Sequence, residues 1–244
     1  MTSTLLLAAV SLTGLGAQEP GGVSPSELIS RMLQRYSSAR SLTGSIVLSV
    51  TTMGQTAQAR TDVQFELPSK LYLRQSRATA SCLVTSDGKR FSYDAPKLTW
   101  HDKGVRLVEP VSLSNGKTLA VRDIYAAATA SLIDRSAPLD IAIGRREDLE
   151  FLRRQWATLR YQGKVSHDGA EVHAITGDWK EYGDAPRTSG SFRMLISDSG
   201  DLKQYAVSET VDVPPLGNKT VVSVWEVSLT VNGKPNAELF RVAG

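Results

Sequence analysis

One cysteine, Cys82, occurs in 244 residues. No intramolecular disulfide can form, so burial and hydrogen bonds alone must hold the fold together. Cys82 also lies far from the N-terminal apolar stretch, which argues against a lipid-modified N-terminal cysteine and for a protein that moves freely. No run approaches the roughly 18 consecutive apolar residues of a spanning helix, so the mature chain is not expected to be membrane-spanning. A basic run is missing too. The 28 Lys and Arg are interleaved with 25 Asp and Glu, for a net charge of +3, and no nucleic acid partner is indicated. Nor does a long Pro, Gly and Ser linker divide the chain. With 41% hydrophobic residues there is enough apolar material for a substantial core, and a single domain over residues 18–244 is expected.

The signatures of chemistry are equally sparse. There is no G-x-S-x-G elbow, and Cys82 stands in an apolar strand-like run without a histidine nearby, so nucleophilic catalysis has no visible machinery. G-x-x-x-x-G-K-[ST] and G-x-G-x-x-G are absent, which removes the common phosphate cradles. The histidines are His101, His167 and His173. Asp168-Gly169 reads as a hairpin turn between the last two, which argues against a shared zinc face. Asp178, Glu181 and Asp184 cluster in a Gly-containing loop but lack the ligand spacing of a calcium site. Trp100, Trp156, Trp179 and Trp225 can stack on a ligand, although aromatic rings more often fill cores. No catalytic residue, metal site or cofactor is therefore assigned, and the protein is expected not to be an enzyme.

What is present is pattern. Residues 1–17, MTSTLLLAAVSLTGLGA, have an apolar centre over 5–12 and small residues before a cleavage point after Ala17, the form of a secretory signal peptide, although no Lys or Arg precedes the apolar run. Ser24-Pro25-Ser26-Glu27 combines an N-cap serine, a proline at the first helical position and a glutamate closing a capping box. Ile29, Met32, Leu33 and Tyr36 follow at i, i+3, i+4 and i+7 and predict one apolar helix face.

From Thr43 the period becomes two. Ile46, Leu48 and Val50, then Val63, Phe65 and Leu67 across a turn at Met53-Gly54, predict a hairpin. Leu71 and Leu73, residues 82–85, and Phe91 with Tyr93 after Ser86-Asp87-Gly88-Lys89 extend it to five strands. Residues 121–133, rich in alanine, predict a second helix with Val121, Ile124, Ala128 and Leu132 on one face, interrupted by Pro138. A third helix is predicted over 146–156. Strand patterns return at 159–163, 171–179, 192–197, 202–209 and 220–231, with a hairpin loop at Asp198-Ser199-Gly200-Asp201. In the last strand Val221, Trp225, Val227, Leu229 and Val231 share one face. The total is about ten strands and three helices.

This order of helix, five-strand meander, central helices and second meander resembles the bacterial LolA, LolB and RseB superfamily of periplasmic lipoprotein carriers. The likeness covers nearly all of the mature chain. It rests on LQRYSSARSLTGS (33–45), FELPSKLYL (65–73), Ser86-Asp87-Gly88-Lys89 and VNGKPNAELFRV (231–242). The resemblance implies an α+β, mostly β fold: a curved antiparallel sheet forming an incomplete β-barrel covered by helices. It implies a cavity for acyl chains, with Ile46, Leu48, Val63, Phe65, Leu71, Leu73, Trp225, Val227 and Leu229 facing inward and Ile29, Met32, Leu33 and Tyr36 on a lid. The same positions also suit an ordinary core, because alternation is what buries any sheet face.

The function so implied is non-enzymatic: a secreted or periplasmic carrier whose partners are lipid or lipoprotein acyl chains, and which needs no cofactor. The alternative on the same scaffold is a sensory or protein-interaction module with an envelope protein as partner. A third reading, an enzyme, requires clustered polar groups inside the cavity. If Phe65 and Leu73 face a cavity, Phe65→Glu or Leu73→Glu should abolish lipid binding.

Overall fold

The computed structural model describes residues 23–242 apart from 79, 98–104, 130–135, 181–188 and 214. The signal segment 1–17 and Trp100, His101, Leu132, Glu181 and Asp184 lie outside the described residues.

Helix α1, Pro25–Ser37, starts where the proline predicts, since a first-turn residue has no helical acceptor to lose. The capping box does not form. Ser24 makes no capping bond with its side chain, and its carbonyl instead accepts from the N–H groups of Glu27 and Leu28, both at 3.1 Å. The buried face is Leu28, Ile29, Met32 and Tyr36, with Leu33 half-buried at its margin.

Six strands follow: β1 (Ser41–Thr52), β2 (Gln55–Glu66), β3 (Lys70–Arg77), β4 (Ser81–Asp87), β5 (Arg90–Lys97) and β6 (Val105–Pro110). The helical centre is α2 (Val121–Thr129), α3 (Ala137–Ile143) and α4 (Arg146–Gln155). Then come β7 (Arg160–His167), β8 (Ala170–Lys180), β9 (Ser189–Ile196), β10 (Leu202–Val213) and β11 (Gly217–Val231), and a short 3-10 helix at Ala237–Phe240. Two elements exceed the sequence expectation. Strand β6 is a short edge strand ending at a proline, and α3 begins at the proline that the sequence pattern treats as an interruption. Pro138 sits in the first turn of α3, and the Ser136 hydroxyl accepts from the Leu139 N–H at 3.3 Å, so the segment starts a helix where it was expected to end one.

The eleven strands of the described residues form one antiparallel sheet in the order β6-β5-β4-β3-β2-β1-β11-β10-β9-β8-β7. Each meander stays local, and the first strand of one lies beside the last strand of the other, in register from Leu42 opposite Val231 to Thr52 opposite Val221. Two hairpins turn on residues with positive φ at both central positions, Met53-Gly54 at 49° and 76° and Asp168-Gly169 at 49° and 77°. That geometry matches the right-handed twist of the flanking strands. β6 and β7 end the strand order without pairing to each other, so the barrel is incomplete.

Register shows how strongly the sheet coils. His167 on β7 and Glu226 on β11 are four strand spacings apart, about 19 Å if the sheet were flat, yet His167 Nε2 lies 3.4 Å from Glu226 Oε2. The end of β7 thus folds back over the outer face of the sheet. Beneath it Val172, Ala174 and Leu195 are buried as a small second cluster, with Val165 against them.

The helices cover the other face, where Ile46, Val63, Phe65, Leu71, Leu73, Val227 and Leu229 share the main core with the buried faces of α1, α2 and α3. Polar contacts fix the two layers. Tyr93 on β5 donates to the Ile124 carbonyl of α2 at 3.3 Å, and the indole of Trp156, just past α4, donates to the Tyr205 hydroxyl of β10 at 3.1 Å.

Candidate functional site

Cross-strand register sorts the inner face into two parts. In the first, Val63 pairs with Leu73 and Phe65 with Leu71, and Ile46 lies opposite Val227. Val63, Leu71 and Leu73 are 0% exposed and Phe65 3%. Ile29, Met32 and Tyr36 of α1 join them in one continuous core. Side chains so fully enclosed leave no water-sized void against them, so this part is packed.

The second part lies farther along the same strands. Inner-face register continues from Ile46 to Leu48 and Val50 on β1, from Val227 to Trp225, Ser223 and Val221 on β11, and from Thr61 to Ala59 and Ala57 on β2. Leu48, Val50, Val221, Ser223 and Trp225 are half-buried and Ala57 is exposed. The apolar stripe therefore continues past the filled core into a partly open strip. Leu48 and Ile46 are alike in the sequence pattern, yet only Ile46 belongs to the buried core.

A row of aromatic rings borders this strip. Centroids are 6.2 Å apart from Trp156 to Phe192, 6.4 Å from Phe192 to Tyr205 and 5.6 Å from Tyr205 to Trp225. Phe192, Tyr205 and Val207 were not singled out from sequence, although Met194-Tyr205-Trp225 and Phe192-Val207-Ser223 are continuous inner-face registers. Only knowledge of which strands pair brings these residues together. Burial pushes the Tyr205 hydroxyl well above the usual phenol range, so it stays neutral and serves as a hydrogen-bonding group.

Helix α1 is tied to the sheet through the loop between β9 and β10. Arg31 donates to the Asp198 carbonyl at 3.4 Å, Arg35 pairs with Asp201, and the Tyr36 hydroxyl accepts from the Leu202 N–H at 3.2 Å. The Asp198 carboxylate reaches Lys164 at 3.0 Å and buried His173 at 2.7 Å, and His173 Nδ1 lies 2.9 Å from the Tyr161 hydroxyl. His167 and His173 thus sit on opposite faces of neighbouring strands. Asp178 is engaged by the Thr158 hydroxyl at 2.8 Å and by Arg160 at 3.2 Å.

The Lys164 hydrogen bond, and after it the one from His173, hold the Asp198 carboxyl below its ordinary value of 3.8. A depressed carboxylate contributes its tethering above the unfolded value and loses it as pH falls through the folded one. A carboxyl-carbon NMR titration should therefore give Asp198 a midpoint below 3.8, with Lys164→Ala moving it upward. An unchanged midpoint in that variant would remove Lys164 as the cause.

Cys82 is buried on β4, and desolvation raises its thiol to about 11, which fits an inert structural residue. A separate cleft of about 540 Å³ lies where Arg40, Ser41, Glu66, Leu67, Pro68 and Pro235 meet, and none of the predicted cavity residues lines it.

No family model matches the chain, and no curated relative matches it in sequence. Similar solved structures exist. The lipoprotein LppX of Mycobacterium tuberculosis is 14% identical, with 88% of this chain and 100% of that chain covered and a TM-score of 0.44. LprF from Mycobacterium bovis is 13% identical, with 89% and 99% covered and a TM-score of 0.42. A LolA superfamily protein, NE2245 of Nitrosomonas europaea, is 8% identical, with 91% and 99% covered and a TM-score of 0.29. An unclosed antiparallel sheet under a layer of helices is also what the sequence resemblance implies. Identities and TM-scores this low assign this chain no role.

Proposed function

We propose that this chain is an exported, non-enzymatic carrier that shelters acyl chains of a lipid or lipoprotein between its helices and its sheet. The supporting observation is the continuation of the inner apolar face beyond the filled core, through Leu48, Val50, Val221 and Trp225. An acyl chain entering there removes apolar surface from water at about 25 cal/mol per Å². Val227 and Leu229 lie next along the strand. Ile46, Val63, Phe65, Leu71 and Leu73 become ligand contacts only if the helical layer over them parts, with Ile29, Met32, Leu33 and Tyr36 of α1 moving as part of it. The tether from Arg31, Arg35 and Tyr36 to the β9–β10 loop is the point at which such a movement would be controlled. No described helix is long and apolar enough to cross a membrane.

One observation favours the second reading, an interaction or sensory module. Edge strand β6 exposes Leu107 and Val108 at 42% and 39%, and Leu113 beyond it is 41% exposed. An unpaired edge with apolar side chains is a surface on which another chain can add. Native mass spectrometry of residues 18–244, purified without detergent, tests for a bound ligand. Co-purified lipid supports the carrier or a lipid sensor on the same scaffold. A reproducibly empty protein that also refuses fluorescent fatty acids overturns the carrier and leaves the interaction role.

A further inference from the structure

Within the described residues, Trp225 Nε1 stands out as a buried side-chain polar atom with no hydrogen-bond partner. An indole nitrogen can only donate, so no rotation or change of tautomer converts it into something the surroundings satisfy. Trp156, at the other end of the same aromatic row, shows the ordinary solution: its Nε1 donates to the Tyr205 hydroxyl at 3.1 Å. A buried donor without a partner carries its full desolvation penalty in the empty protein, and a ligand that supplies an acceptor recovers it.

The position of Trp225 indicates what that acceptor is. Its ring is half-buried on the inner face, and its cross-strand neighbours are Leu48 on β1 and Tyr205 on β10. Ser223 and Val227 flank it on the same face of β11, so none of these four neighbours is charged. Glu226 and Gln204 pair with each other on the opposite face, at 2.7 Å. The acidic residue whose register places it on the inner side nearby is Glu209, opposite Val221. The cations on inner-face register lie farther off, Arg77 two strands beyond Leu48 and Lys219 past Val221 on β11. A carboxylate brought here would leave water for a single neutral donor with no cation among these four neighbours, which is costly. A neutral carbonyl oxygen would not.

Resting on the carrier reading, we propose that Trp225 Nε1 donates to the carbonyl oxygen of a neutral O-acyl ester whose chain lies along Leu48, Val50 and Val221. The protein then selects esterified chains over free fatty acids and over plain hydrocarbon. The indole supplies a buried directional contact, beside the Ser223 hydroxyl, in a mostly apolar strip. The ester does not enter the closed structure unaided, because the N–H is shielded from water; the neighbouring side chains must part as the chain seats.

Three probes test this by fluorescence titration of residues 18–244: decylpyrene, pyrenedecanoic acid and its methyl ester. The methyl ester should bind about tenfold tighter than decylpyrene, as expected for one satisfied buried donor, and the acid should gain nothing over decylpyrene. Trp225→Phe should erase the ester's advantage over decylpyrene, and the variant's circular dichroism and cooperative urea unfolding show separately that it is folded. In the unmodified protein the Trp225 indole N–H resonance should move downfield with the ester and not with decylpyrene. Equal binding of ester and decylpyrene, a preference that survives in Trp225→Phe, or acid binding as tight as ester would overturn the ester contact and leave the carrier standing. No binding of any probe would overturn the carrier reading and this inference with it.

Discussion

Gly44→Ala should destabilise the protein by about 3 kcal/mol or more, the range reached when backbone has no room to yield. Gly44 lies in β1 with φ at +143°, opposite Leu229 of β11 and Val63 of β2. A Cβ there would stand 2.0 Å from the Ser228 carbonyl oxygen and 2.9 Å from the Leu229 Cα, both of them main-chain atoms. The clash falls on the seam where the two meanders join, so it loads the pairing that unites the sheet. Gly54→Ala is the control. That residue also has positive φ, at +76°, but nothing lies within 4 Å of its added Cβ. Conformational strain alone should cost about 1–2 kcal/mol there. Urea denaturation followed by circular dichroism measures both, and equal losses would show that strain rather than the Ser228 contact governs Gly44.

Leu73→Glu should abolish cooperative folding at neutral pH. Leu73 is wholly buried between Val63 and Val84, and no cation is placed opposite it. An ionised carboxylate there costs more than the roughly 5–15 kcal/mol by which a domain is stable. Phe65→Glu meets nearly the same environment. These substitutions, attractive from the strand pattern as probes of lipid binding, therefore report on folding. Leu48→Glu is the informative counterpart. Leu48 is half-buried in the open strip, so the variant should unfold cooperatively, within about 2 kcal/mol of the unmodified protein, and should lose acyl binding. A folded Leu48→Glu variant that binds normally would remove the strip from the site.

The two glutamate variants mark where sequence pattern stops being informative. Leu48 and Leu73 both alternate with polar neighbours, and both read as inward. Which one is packed and which is open depends on where the helices land, and α1 among them is held by Arg31, Arg35 and Tyr36 reaching residues about 166 positions away. Such contacts leave no local periodicity. Edge strand β6 was missed for a related reason. Its two faces are both exposed from Arg106 to Pro110, so nothing forces its residues to alternate. Helix α3 was missed because a proline that breaks a helix interior is equally suited to a first turn, and Ser136 decides between the two by capping.

What the sequence by itself determined is local: α1 from Pro25 and the i, i+3, i+4 spacing, the meanders from their period of two, and the hairpins from turn dipeptides such as Asp168-Gly169. These depend on torsion preferences and on burying one face of each element, both of which are written within a few residues. Tertiary structure alone decided the rest. It set β1 beside β11, curled β7 over the outer face so that Val172 and Leu195 are buried there, and divided one apolar stripe into filled core and open strip. It also left the indole of Trp225 without an acceptor while giving Trp156 one. Burial and hydrogen-bond satisfaction are properties of what lies opposite a side chain in space, and strands distant in the chain supply that.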